Sequence, residues 1–317
     1  QGFDANATLE DAKSVAYKYS PVVYFHPLET SFLADGKRWI ERYGPNATLI
    51  LSSQGQNITY GPVTEEMLYE MGRNPNFTAN ANQYYWYFPD NFTDAYRNGD
   101  PLDEKNVSTA SVYFSVMDYE DDPDIWIINY YYYFPYQGCS NQWTIEVQEN
   151  SNRSTNALLE ICNIDVHDSD IENIAVMVCK NTNGSAMPLT IRYMQHDKPT
   201  TFRQCSIPGQ CNFVPQGMDG LDSPYHPLAY SALNSHAMYD LPATNYIYAG
   251  VPIPFIANFL GVFMTDRTSN GDNLASYRFV PTKENNLYLP PFDELNPEQN
   301  PDTYWLGFAG HLGFADG

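Results

Sequence analysis

The sequence predicts a mainly β fold, an antiparallel β-sandwich with a few short helices, and three observations support this. Of its 317 residues, 43% are hydrophobic and 15% aromatic, with 26 tyrosines, a supply that suits the half-buried surface of pleated sheets. From position 111 onward, β-branched and aromatic segments recur at hairpin spacing, without the long helical crossovers that parallel strands require. The length allows one large core, and no repeat, low-complexity tract or linker divides it.

Taken in order, the elements begin with a helix start at Thr8 and Asp11, after which Leu9, Ala12, Val15 and Ala16 recur at helical spacing to about Tyr19. Residues 21–27, apolar and aromatic between prolines, read as a strand. A second helix is expected over 65–71, capped by Thr64 and closed by Gly72. Strands are then expected over 111–117, 124–134, 171–179, 188–196 and 227–231. Strand alternation puts Tyr130 and Tyr132 on one face and Tyr131 and Tyr133 on the other. Both faces are expected to be covered; an aromatic platform for carbohydrate is the alternative.

Beyond about Asn245 the apolar segments become proline-punctuated. The sequence therefore divides into a sandwich domain over 1–245 and a C-terminal extension over 246–317, packed on the same domain or on a neighbouring subunit. The extension ends in aromatic, glycine-rich segments with Trp305, Phe308 and Phe314, residues that demand burial within the chain or against another copy. A head-to-tail contact of that kind, if it does not close, builds a filament. The longest apolar stretch, 251–264, is too short to span a bilayer and is broken by Pro252, Pro254 and Asn258.

Asp and Glu number 38 against 16 Lys and Arg, a formal net charge of −22, which repels nucleic-acid phosphates and anionic membrane surfaces. The acidic cluster of Asp118, Glu120, Asp121, Asp122 and Asp124 reads as a solvated face. A calcium ion is the alternative there, although the spacing does not match an EF-hand loop.

Asn-x-Ser/Thr sequons without a central proline begin at Asn6, Asn46, Asn57, Asn76, Asn91, Asn106, Asn152 and Asn183. So many N-glycosylation acceptors point to a secreted, extracellular glycoprotein. The opening at Gln1, without Met or an apolar leader, is what signal-peptide removal leaves. An oxidising compartment would let the cysteines pair. Cys205 and Cys211 flank a Pro208-Gly209 turn and form the first expected disulfide, Cys139 with Cys162 the second; Cys179 is left for burial or a partner.

Four segments together resemble the vacuolar protein sorting-associated protein 62 family: Tyr19 through Pro27 followed by Trp39, the aromatic run from Trp126 to Gly138, Asp165 through Ile174 with Tyr193 to His196, and Tyr230 through Ala237. The resemblance implies a β-rich fold and a polar cluster of His167, Asp170, Glu172, His196 and His236. The family's Trp and second His are replaced by Ile171 and Asn173, which erodes the cluster. Imidazoles converging with carboxylates would suit a divalent metal held by His167, His196 and His236, with Glu172 or Asp170 as general base of a secreted hydrolase. The bland reading makes the cluster a buried polar network between sheets. His26, between apolar residues of the first strand, reads as a core histidine. The sequence thus favours a non-enzymatic extracellular or cell-surface structural protein without a cofactor, with the hydrolase and a carbohydrate-binding module as alternatives.

Overall fold

The computed structural model describes residues 3–53, 56–79, 84–87, 94–138, 142–150, 153–160, 166–195, 201–248, 259–269, 276–308 and 315–316. In chain order the strands are β1 (Val22–Tyr24), β2 (Thr48–Ser53), β3 (Gln56–Tyr60), β4 (Tyr84–Tyr87), β5 (Val112–Tyr119) and β6 (Asp122–Gln137). Then come β7 (Gln142–Asn150), β8 (Arg153–Glu160), β9 (Val166–Cys179), β10 (Thr190–Tyr193), β11 (Thr201–Gln204) and β12 (Leu228–Ser231). The last are β13 (Met238–Tyr239), β14 (Thr244–Tyr248), β15 (Phe259–Arg267), β16 (Arg278–Phe279), β17 (Asn286–Tyr288) and β18 (Ala315–Asp316). Among the described residues four short α-helices accompany them: α1 (Leu9–Val15), α2 (Gly36–Tyr43), α3 (Glu65–Arg73) and α4 (Pro75–Thr78).

The fold is mainly β and sandwich-like. Its largest sheet runs β11-β10-β9-β6-β5-β17, with β18 also paired to β9. A second sheet, β13-β12-β1-β16, lies over it. Side chains from both, including Val23, Phe25, Ala229 and Phe279 from one and Ile128, Tyr130, Tyr132 and Phe134 from the other, form the main core. Edge-to-face contacts between Phe25 and Phe134 and between Tyr132 and Phe279 join the two layers. Two smaller sheets, β14-β15-β7-β8 and β3-β2-β4, complete the strands.

The pairing departs from the expected all-antiparallel pattern in two places, where β1 runs parallel to β12 and β17 parallel to β5. Each pair is far apart in sequence, so the intervening chain supplies the crossover that a hairpin cannot. The expected domain boundary at Asn245 falls inside β14. Beyond it the chain is woven into the sheets: β15 pairs with β7, β16 with β1, β17 with β5 and β18 with β9.

The long strand β6 shows why a tyrosine run sits inside a protein. Its even positions from Trp126 to Phe134 face the main core, while Tyr131 and Tyr133 face a second core with Trp39, Leu68, Tyr113 and Trp305. Tyr130, Tyr132 and Tyr133 are all buried, which removes them as a sugar-stacking platform.

Helix α1 begins with the capping box expected from Thr8 and Asp11, and Thr64 caps α3 by accepting a hydrogen bond from the Met67 amide. Gly72 does not close α3, which continues to Arg73. A Cβ there would lie 2.0 Å from the Gly307 carbonyl oxygen, so the glycine lets the C-terminal segment lie against the helix. Gly72→Ala should therefore destabilise the fold by about 1–3 kcal/mol, the range for overpacking, although Ala favours an exposed helix by about 1 kcal/mol. Chemical denaturation checks the sign; a stabilised variant would contradict this close approach.

The same C-terminal segment carries Trp305, which is 2% exposed and packs edge-on against Tyr113. Trp305 is therefore core rather than an assembly contact. Phe308 packs against the second core and against Phe77, and Phe314 lies outside the described residues. The Cys205–Cys211 disulfide forms as expected and Cys179 is free and half-buried, while Cys139 and Cys162 lie outside the described residues.

Candidate functional site

The site expected around His236 is assembled from β6, β9 and two turns. In the β6–β9 ladder Phe134 faces Asp170 and Tyr132 faces Glu172, so alternation carries Asp170 and Glu172 onto the main-core side of the sheet. The same alternation turns Ile171 outward, where it is exposed, and Asn173 to the opposite face, where it donates to the Tyr130 carbonyl. His236 comes from the turn between β12 and β13. It adopts a left-handed conformation with φ 56°, which a short turn imposes through bonds such as its amide donating to the Ala232 carbonyl.

That conformation lays the imidazole flat on Phe134, with ring centroids 3.8 Å apart and planes within 2°. The side chain has no solvent exposure. Its Nδ1 lies 3.1 Å from Asp170 Oδ2 and its Nε2 3.7 Å from Glu29 Oε2. Glu29 is itself buried and is held by three backbone donors: the Thr30 and Ser31 amides reach Oε1 and the Asn234 amide reaches Oε2. Nothing in the sequence around Glu29 distinguishes it from a surface acid.

Burial alone would lower the His236 pKa, but hydrogen bonding to Asp170 and the charges of Glu29 and Asp170 outweigh it and raise it from 6.5 to about 9. Burial pushes the Glu29 carboxyl upward; His236 and the amides of Asn234 and Ser31 reverse this and hold it below its ordinary value. The unit is thus an imidazolium between two carboxylates. A third carboxylate, Asp266, is 1% exposed and accepts from Oγ of Ser235, the residue before His236, at 2.8 Å and from Tyr239 Oη at 2.6 Å. Glu172 is 8% exposed on the same side of β9. Asp168 takes Arg97 Nε and Tyr96 Oη at the end of the row, each at 3.2 Å.

This geometry unites some of the expected residues and not others. Asp170 and His236 touch, and Glu172 lies on the same side of the sheet. The His167 side chain and His196 lie outside the described residues. Both ring nitrogens of His236 face carboxylates, Nδ1 within hydrogen-bond reach of Asp170 and Nε2 3.7 Å from Glu29. Among the described residues, no group of three or more His, Cys, Asp or Glu side chains could hold a metal ion. The acidic cluster lies along the β5–β6 hairpin, where Asp118 pairs with Lys180 at 2.8 Å.

His26 is buried as expected, its Nδ1 accepting from the Leu28 amide, and burial holds its pKa below 6.5. Every sequon asparagine whose side chain is described, namely Asn6, Asn46, Asn76, Asn106 and Asn183, is exposed. Asn57 lies in β3, its side chain outside the described set, and Asn91 and Asn152 are outside it altogether. No helix among the described residues is long and apolar enough to cross a membrane.

No family model matches this chain, and no curated protein matches it. Among solved structures it is similar to the crystal structure of the non-toxic HaNLP3 protein, at 12% identity and a TM-score of 0.32 over 96% of this chain and 94% of that one. Similarity at that level carries no argument here.

Proposed function

We propose that this chain is a non-enzymatic, N-glycosylated extracellular structural protein with a fold of the vacuolar protein sorting-associated protein 62 type. In this reading the His236 cluster braces the sandwich. The observation that carries it is the burial of the His236 ring: without solvent exposure, stacked on Phe134 and placed between Glu29 and Asp170, it is out of reach of a substrate. Exposure of the described sequon asparagines and the Cys205–Cys211 disulfide support passage through an oxidising, glycosylating compartment.

The test is expression through a secretory pathway, followed by glycosidase treatment with mass mapping, calorimetric titration with calcium and zinc, and electron microscopy of the native material. The reading expects glycans at the exposed sequons and no tight metal binding. Tight zinc binding abolished by changing Asp170 or Glu172 would overturn it in favour of a hydrolase. Electron microscopy decides self-association, which must use surfaces other than Trp305.

A further inference from the structure

A second histidine, which precedes β12 where His236 follows it, was not singled out by any motif. His226 precedes β12 and is fully buried. Its Nδ1 lies 2.9 Å from the Ser20 carbonyl oxygen, an acceptor only, so Nδ1 carries the proton and Nε2 presents a lone pair. Burial holds the ring below its ordinary pKa of 6.5, which keeps it neutral at physiological pH. Nε2 is buried and has no hydrogen-bond partner among the described residues. An orphaned acceptor of this kind is unfavourable and calls for a donor.

His226 lines a pocket of about 340 Å³ between the Tyr17 turn, the loop over 219–222 and the turn after β16. That volume falls at the small end of ligand-holding clefts, about 300–1,000 Å³. The wall supplies both kinds of hydrogen-bonding group: Asp222 is a carboxylate acceptor already touched by Tyr17 Oη at 3.2 Å, and Lys283 is an ammonium donor whose Nζ stands 5.1 Å from the Tyr17 ring centroid. The charges balance, since Asp222 is matched by Lys283 and Asp219 by its two contacts with Arg278. An ionic ligand would bring an uncompensated charge into this setting. A hydroxyl group, by contrast, donates to Asp222 and accepts from Lys283 with the same oxygen.

We propose that the pocket beside His226 binds a small uncharged molecule with neighbouring hydroxyl groups, a polyol or a monosaccharide, with Asp222 and Lys283 as the polar clamp. The site is independent of the His236 cluster and of the structural role proposed above. Asp222 and Lys283 are exposed, so replacing them leaves the core intact.

The experiment follows histidine ring signals by NMR in the full glycosylated chain during titration with D-glucose and myo-inositol, with glucose 6-phosphate and glucosamine as charged comparators. The expected result is a saturable shift of the His226 signal by a neutral probe, with a Kd of about 1 mM, weakened about tenfold by Asp222→Ala and reduced also by Lys283→Gln. The proposal is overturned if neither neutral probe moves the His226 signal, if the shift is unchanged in both variants, or if the charged comparators bind more tightly.

Discussion

His236→Asn is expected to cost about 3–5 kcal/mol of folding stability, the magnitude seen when one partner of a buried ion pair is removed. Asn tolerates the left-handed backbone that position 236 adopts, so the loss reports the missing cation and the lost ring stack rather than turn strain. Glu29 and Asp170 would be left facing one another without their counter-charge. Glu29 keeps its three backbone donors, which moderates the loss without cancelling it. In a double-mutant cycle with Glu29→Gln, the pair should cost less than the two single changes added together, because the second removes the charge that the first strands. Denaturant unfolding reads all of these values. A loss below about 1 kcal/mol for His236→Asn would place the imidazole outside the core electrostatics and reopen it as a functional group.

Stability should also decline as pH rises from about 6.5 through 9. The folded His236 pKa is raised from 6.5 to about 9, so the stabilisation it contributes is fully present below 6.5 and is lost as the ring deprotonates in the folded state. At about 1.4 kcal/mol per pH unit, the interval corresponds to about 3 kcal/mol. Glu29 bounds the opposite side. Its folded pKa lies below the ordinary 4.5, so its contribution is present above 4.5 and is lost as pH falls through the lower folded value. The pair therefore supports the fold best between 4.5 and 6.5. Because other groups titrate as well, the measurement is the difference in unfolding free energy between the native chain and His236→Asn across pH 6 to 10. A difference that stays flat over that range contradicts a charged His236.

Much of this architecture was legible because local signals agreed with the global fold. Thr8 and Asp11 announced a capped helix, and the aromatic run around Tyr130 could be divided between two faces by alternation alone. What escaped was set by contacts distant in sequence: Glu29 looks like a surface acid until a turn some 200 residues later brings His236 and the Asn234 amide to it. Gly72 looked like a helix terminator because the chain that presses on it, at Gly307, lies outside any local window. Trp305 and Phe308 carried the right demand for burial, but sequence could not say that the surface they needed was provided by Tyr113 and Phe77 of their own chain.

The parallel pairing of β1 bears on how such a chain is made. Val23 has Ala229 on one side and Phe279 on the other, so β1 waits for about 200 further residues to be made before its first neighbour exists, and about 250 before its second. At about 5–20 residues per second, that leaves a β-prone apolar edge waiting for ten seconds or more. Folding of this layer is therefore delayed, slow because its pairings are non-local, and dependent on whatever shields the 21–27 segment in the interval. On the glycoprotein reading proposed above, N-glycans at Asn6 and Asn46, on either side of that segment, would do so.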